Sequence, residues 1–281
     1  MPVLRKVLDK LVYQGKYSDI DANMSDSNIG ARRGQNIKNH LFIIYGIINS
    51  VLEEDKSCID IQIYDLVQAF DKLWLQDCMN DLYDSLTSNQ RDDKLALMYE
   101  VNTNNQVAVN TAVGLTDRVN MKDNVTQGGV FGPLQCSNSI DSIFKKCYKK
   151  GEHLYLYKSL VNIMPLSMVD DILAVAPCNK KSLAVNTYIN VQIEMKKIRF
   201  HTPDEKGKTK CHVLHVGKTS TVCPTLQVHG TNMSNVTEDV YLGDVISSNG
   251  KNTKNITSRI SKGLGKIIEI MNILENVSLI Y

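Results

Sequence analysis

The chain has 281 residues, 43% of them hydrophobic and 22% charged, a balance that suits a folded core and excludes a disordered tail-like protein. A net charge of +2 leaves no global attraction for polyanions, so any basic footprint must be local. Seven scattered cysteines, an odd number with no C-x-x-C pair, fit reduced intracellular thiols better than a disulfide framework or a zinc site.

In chain order, VLRKVLDKLVY repeats apolar residues at the three-four spacing of an amphipathic helix, and the polar run SDIDANMSDSNIGARRGQN predicts a loop after it. IKNHLFIIYGIINSVLEED predicts a second, more apolar helix. The period then changes: IDIQIYD alternates Ile59, Ile61 and Ile63 with Asp60, Gln62 and Tyr64, which is the pattern of a strand. LWLQDCMNDLYDSL returns to helix, with Leu75, Cys78, Met79, Leu82, Tyr83 and Leu86 on one face, and DKLALMYEVN predicts another short helix. The charged RDDK before it reads as an exposed turn.

QVAVNTAVGLTDRVNMKDNVTQGG predicts a hairpin or a pair of short strands, and GPLQCSNSIDSIFKKCYKK a helix with Pro133 in its first turn. LVNIMPLSMVDDILAVAP predicts a hairpin carrying Asp170 and Asp171 near its tip. A helix over SLAVNTYINVQIEMKKIRF follows, then short strands in KCHVLHVG, TLQVHG and VYLGDVIS. The last segment, TKNITSRISKGLGKIIEIMNILENV, predicts a helix interrupted around Gly263 and Gly265. Strands and helices without a regular βαβ rhythm give an α+β expectation around an antiparallel sheet. No run of about 18 apolar residues is present to span a bilayer, and the start lacks the apolar core of a signal peptide. An intracellular protein without membrane contact is expected.

The informative feature is a set of carboxylates. Asp170 and Asp171 interrupt an apolar run, and an ionised carboxylate is costly to desolvate unless paired. Either a cation compensates them or they stand in an exposed, solvated turn, the commoner setting for such a doublet. Asp65 closes the IDIQIY strand, so adjacent strands of one sheet would bring it to the hairpin tip. At an effective dielectric near 20, two carboxylates about 4 Å apart repel by roughly 4 kcal/mol. Two Mg²⁺ ions would offset that repulsion, in the arrangement that serves in-line phosphoryl transfer. Neighbouring strand residues point to opposite faces, so Asp170 is assigned direct metal binding and Asp171 an orienting role. Alternation also places Asp65 with Ile59, Ile61 and Ile63, which requires either a bulge before it or a face that opens into a cleft.

IYDLVQAFDKL resembles the first palm motif of reverse transcriptases, in the form common among retrotransposons that lack long terminal repeats. VTQGGVFGPL resembles the second and SMVDDILAV the third. KKIRF with KGKTKCHVLHVG, and then VYLGDVIS, resemble the motifs that close the palm and lead to the thumb. SNIGARRGQNIKNHLFIIYGIIN resembles the fingers segment before the first motif, so the likeness covers roughly residues 25 to 265 in the family's order. Met168 stands where the family has an aromatic residue.

The resemblance implies a palm-type antiparallel sheet with packed helices, partial fingers over 1–58, palm over 59–230, and the palm–thumb junction with the start of a helical thumb over 231–281. It implies RNA-directed DNA polymerase activity, with an RNA template, a DNA primer and deoxynucleoside triphosphates as partners. Asp65 and Asp170 would hold two Mg²⁺ ions, with Mn²⁺ an alternative, and Asp171 would complete the catalytic set. Phe70 would be either the gate that rejects a 2′-hydroxyl, which also argues against an RNA-templated RNA polymerase, or a core aromatic.

Gln127, Gly128 and Gly129 would position the template or form a plain glycine turn. Arg32 and Arg33 would meet phosphates or form an exposed basic pair. Lys208 or Lys210 would lie near the leaving pyrophosphate, and Tyr241 to Asp244 would support the primer terminus. Lys145, Lys146, Lys149, Lys150, Lys196, Lys197 and Arg199 are either backbone contacts to a hybrid duplex or solvated faces. None of the six histidines has metal-ligand spacing. The family's first fingers strands have no counterpart, so the alternative expectation is a truncated, inactive or domesticated remnant that at most binds nucleic acid.

Overall fold

A computed structural model describes residues 3–54, 57–103, 106–120, 130–148, 153–156, 159–162, 165–178, 180–201, 210–217, 225–251 and 253–278. In chain order the first elements are α1 (Val3–Asn23), α2 (Ile37–Glu53), β1 (Cys58–Tyr64), α3 (Ala69–Lys72), α4 (Leu75–Ser85) and α5 (Asp93–Thr103). Short strands follow as β2 (Gln106–Val107), β3 (Asn110–Thr111), β4 (Gly114–Leu115) and β5 (Val119–Asn120), then α6 (Gly132–Tyr148). Next come β6 (His153–Leu156), β7 (Ser159–Asn162), β8 (Leu166–Met168), β9 (Asp171–Pro177) and α7 (Lys180–Met195). The chain closes with β10 (His212–Gly217), β11 (Gln227–Val228), β12 (Thr231–Asn232), β13 (Ser234–Val236), β14 (Glu238–Tyr241), β15 (Asp244–Ser247) and α8 (Thr253–Ser278).

The central sheet has the order β13-β10-β1-β9-β8, antiparallel throughout except for the β10–β13 pair. Its middle strand, β1, is buried on both faces. Ile59, Ile61 and Ile63 face a core made with Ile44, Ile47, Ile48 and Val51 of α2 and with Tyr241 and Ile246 of the β14–β15 hairpin. Tyr64 shares the opposite core with Ile172, Ala174 and Ala176 of β9, Ile140 and Phe144 of α6, and Val185, Ile189 and Ile193 of α7. Each fully buried isoleucine stabilises the sheet by about 1.5–3 kcal/mol. A third core joins α1, α4 and α5 through Val12, Tyr17, Ile20, Met79, Leu82 and Leu95.

Gln62 and Tyr64, on the face of β1 that α7 covers, are satisfied inside the core. Gln62 Nε2 donates to the Ser182 carbonyl at 2.9 Å, its Oε1 accepts from Tyr64 Oη at 2.5 Å, and Asn186 Nδ2 donates to Tyr64 Oη at 3.0 Å. These bonds fix the register of α7 against β1, since a buried polar group left without a partner costs about 1–3 kcal/mol.

Several sequence expectations need correction. α1 runs to Asn23 instead of ending before a loop, because Tyr17, Ile20 and Met24 continue its buried stripe. α8 is unbroken at Gly263 and Gly265: a glycine in a helix interior costs about 1 kcal/mol relative to alanine but does not forbid the helix. VYLGDVIS is a hairpin, not one strand, since Leu242 and Gly243 both take positive φ (51° and 83°), the signature of a type I′ turn. Residues 159–162 pair with β6 rather than joining the acidic hairpin. Tyr83 is exposed, its ring covered by the Arg91 guanidinium at 4.1 Å. RDDK is exposed as expected, but Asp92 also accepts from the Lys94 and Leu95 amides at the start of α5 and pairs with the buried Lys16 at 2.8 Å.

α8 leaves Ile256, Ile260, Leu264, Ile267 and Met271 more than half exposed along one side, and anchors through Asn255, which bonds the Val245 carbonyl at 2.8 Å. Among the described residues, no helix is long and apolar enough to cross a membrane.

Candidate active site

β1 and β9 run antiparallel with an unbroken register that ends at Tyr64 opposite Ile172. Asp65 follows the one strand and Asp171 begins the other, so both carboxylates stand at the same end of the sheet. No bulge precedes Asp65. Tyr64 and Leu66 both enter the α6–α7 core, which turns Asp65 to the other face, where the sheet runs out and the side chain is partly open. The same alternation puts Asp171 on that face, since Ile172 joins the α6–α7 core and Leu173 the opposite one.

Asp170 occupies the turn itself. Met168 pairs with Asp171, leaving Val169 and Asp170 as the two central residues. Only Val169 takes positive φ (61°), the pattern of a type II′ turn that glycine normally fills. A β-branched residue there stores strain of about 1–3 kcal/mol. The tip is held from outside: Ile29 and Ser27 exchange backbone hydrogen bonds with Ser167, each 3.0 Å long, and Asn28 Nδ2 donates to the Ser137 carbonyl at 2.7 Å. The SNIG stretch of the fingers-like segment is thereby stitched to β8.

The three carboxylates feel one another. Desolvation at the tip, reinforced by the charges of Asp170 and Asp65, pushes the Asp171 carboxyl up to about 6 from its usual 3.8. The native state therefore keeps a proton there that the unfolded chain releases near 3.8, and this contribution to stability is lost as pH rises through about 6. Asp171→Asn should melt above the wild type at pH 7.5 and match it below pH 4. The difference is on the order of 1 kcal/mol once solvent screening of an exposed side chain is allowed for. Thermal melts across that range check it.

Asp65 meets a histidine and a lysine. His201 Nε2 lies 3.1 Å from Oδ1 and Lys210 Nζ 3.7 Å from Oδ2, while the His201 amide donates to the Asp65 carbonyl at 3.0 Å. A bridge between Leu66 and Phe200 carries 199–201 alongside the end of β1. Sequence reasoning missed His201, because its partner is far away in the chain and no motif contains it. Lys210 is 63% exposed and free to swing, and Lys208 lies outside the described residues.

Other expected site residues are placed elsewhere. Arg32 is only 7% exposed: its Nε bonds Asp21 at 2.6 Å and its other donors reach the Ser25, Asn28 and Asp21 carbonyls. The guanidinium is committed to holding the loop, and phosphate contact is corrected to an internal strut. Arg33 instead lies over the Tyr17 ring at 4.7 Å. Lys145 pairs with Asp141 at 2.9 Å, Lys196 pairs with Asp81, and Lys197 lies over the Trp74 ring. Tyr241 is buried and Asp244 pairs with Arg259 at 2.5 Å, so of that motif only the Leu242–Gly243 turn is accessible. Phe70 begins the second residue of α3, with its side chain outside the described set, as are Gln127, Gly128, Gly129, Lys149 and Lys150 and the Lys146 side chain.

No protein-family model and no curated protein matches the chain. Among solved structures, telomerase from Candida tropicalis in complex with a TWJ fragment of telomeric RNA is similar over 88% of this chain and 36% of that one, with a TM-score of 0.54 at 13% identity. Apo telomerase from the same organism is similar over 88% and 39%, with a TM-score of 0.50 at 13% identity. The chain thus spans little more than a third of the telomerase chains it matches. Likeness at that identity speaks of architecture: the chain has a mixed α+β, reverse-transcriptase-like polymerase fold built on the five-stranded sheet.

Proposed function

We propose that the chain is the fingers–palm part of an RNA-directed DNA polymerase of the kind found in retrotransposons without long terminal repeats, extending a DNA primer on an RNA template. The observation that carries this reading is the gathering of Asp65, Asp170 and Asp171 at one end of adjacent central strands, within a polymerase-type fold. The division into fingers (1–58), palm (59–230) and thumb junction (231–281) belongs to the same reading.

The donor set fits hard divalent cations. All three groups are carboxylates, and desolvation, with the charges of Asp170 and Asp65 added to it, raises the proton affinity of Asp171. Asp65 and Asp170 would hold the ions and Asp171 would complete their cage. Mg²⁺, or Mn²⁺ in its place, supplies charge neutralisation for the attacking and leaving oxygens when bound. The chain's own residues position the reactants around it. Lys210, loosely tied to Asp65, can turn toward the departing pyrophosphate. Gln127 and Gly128 would set the template base, and Phe70, on the short helix that follows Asp65, would exclude a 2′-hydroxyl.

Primer extension on a polyribonucleotide template with Mg²⁺ and deoxynucleoside triphosphates tests the proposal. Template-dependent incorporation supports it; a folded protein that binds primer–template yet adds no nucleotide overturns it. Phe70→Ala should narrow the preference for deoxynucleotides over ribonucleotides by about 10-fold or more. Competition between the two substrates measures this, and unchanged discrimination removes Phe70 from the gate.

A further inference from the structure

We infer that Asp60, Cys178 and His215 form a second metal site, for a borderline divalent ion of the zinc class, on the helix-covered face of the sheet and away from the carboxylate end. The residues come from three adjacent strands: Asp60 from β1, His215 opposite it on β10, and Cys178 just beyond β9. Their ligand atoms form a small triangle. Cys178 Sγ is 3.2 Å from Asp60 Oδ1 and 3.1 Å from His215 Nδ1, and Nδ1 is 3.1 Å from Oδ1.

Protons serve this triangle only weakly: Nδ1–H and S–H can each donate to the carboxylate, and across the third edge the sulfur is at most a weak, shared acceptor for Nδ1–H at 3.1 Å. Asp60 is 0% exposed, and its Oδ2 is buried with no hydrogen-bond partner. A buried charge with an unpartnered oxygen is the arrangement that interiors avoid.

A metal at the centre uses all three lone pairs at once. Tetrahedral bonds of about 2.0–2.3 Å place neighbouring ligand atoms about 3.3–3.6 Å apart, so the triangle opens by only a few tenths of an ångström. One sulfur, one imidazole and one carboxylate is a set that zinc favours and magnesium does not. Cys58, two residues before Asp60 on the same face, hydrogen-bonds Cys178 and offers a fourth donor. His215, 28% exposed, gives the ion its way in. Bound there, the metal would clamp β10, β1 and β9 at the end opposite the acidic hairpin.

Full-length protein stripped with chelator and titrated with Zn²⁺ or Co²⁺ tests the site. We expect one tight equivalent by elemental analysis, a rise in melting temperature on the order of 5 °C, and a thiolate-to-cobalt charge-transfer band. Cys178→Ser should abolish the band and weaken binding by more than about 100-fold, beyond what an outer contact costs. Asp170→Ala should keep both. His215→Gln, at a partly exposed position, serves if the cysteine variant does not fold. Zn²⁺ affinity unchanged in these cluster variants, or lost in Asp170→Ala instead, would overturn the assignment and leave a buried Asp–His pair with a thiol donor.

Discussion

Asp170→Ala should abolish templated nucleotide addition, by about 10³-fold or more, while the protein stays folded. Asp170 is half-buried at the turn, and its removal relieves repulsion rather than adding any. Asp171 reports the difference between a lost ligand and a lost fold. With Asp170 gone, one of the two charges that raise the Asp171 carboxyl disappears, and its titration should move down from about 6. Single-nucleotide incorporation with and without the substitution, alongside a pH titration of stability, measures both. Full activity in the variant would remove Asp170 from the metal-binding role.

Gly30→Ala should be nearly as damaging, although Gly30 carries no chemistry. A Cβ built there would lie 2.5 Å from the Val169 backbone nitrogen and 3.0 Å from Val169 Cγ2, so either the fingers-like segment or the acidic turn must move. Overpacking of this kind costs about 1–3 kcal/mol. A displacement near 1 Å at a reacting centre costs about 10²-fold in rate. Gly46, in the middle of α2 with nothing within 4 Å of its added Cβ, is the control: Gly46→Ala should stabilise by about 1 kcal/mol and leave incorporation unchanged. Equal behaviour of the two variants would mean that contact between residue 30 and the hairpin does not govern the site.

The elements that announced themselves in the sequence were those whose periodicity is set by a single apolar face. β1 shows its alternation in Ile59, Ile61 and Ile63, and α2 its stripe in Leu41, Ile44, Ile48 and Val51, because each buries those residues against one neighbour. The acidic hairpin was legible because strand-like apolar runs flank the paired aspartates on both sides, which a turn between two strands accommodates. What could not be read were contacts between residues distant in the chain. His201 beside Asp65, and His215 beside Asp60 and Cys178, have no local spacing, since each ligand comes from a different strand and only the sheet order joins them. The commitment of Arg32 to Asp21 was equally hidden: an arginine in a polar loop gives no sign of which carboxylate it will meet.

The central strand also limits how the chain can change in length. β1 is paired on both edges and packed on both faces, so one residue inserted between Ile59 and Tyr64 would exchange Ile61 with Gln62 and turn each later side chain over. The outer pairs β2–β5 and β3–β4, exposed throughout, could absorb the same insertion at their turn. Along β1, then, residue count is inherited as strictly as residue identity, and indels belong in the peripheral hairpins.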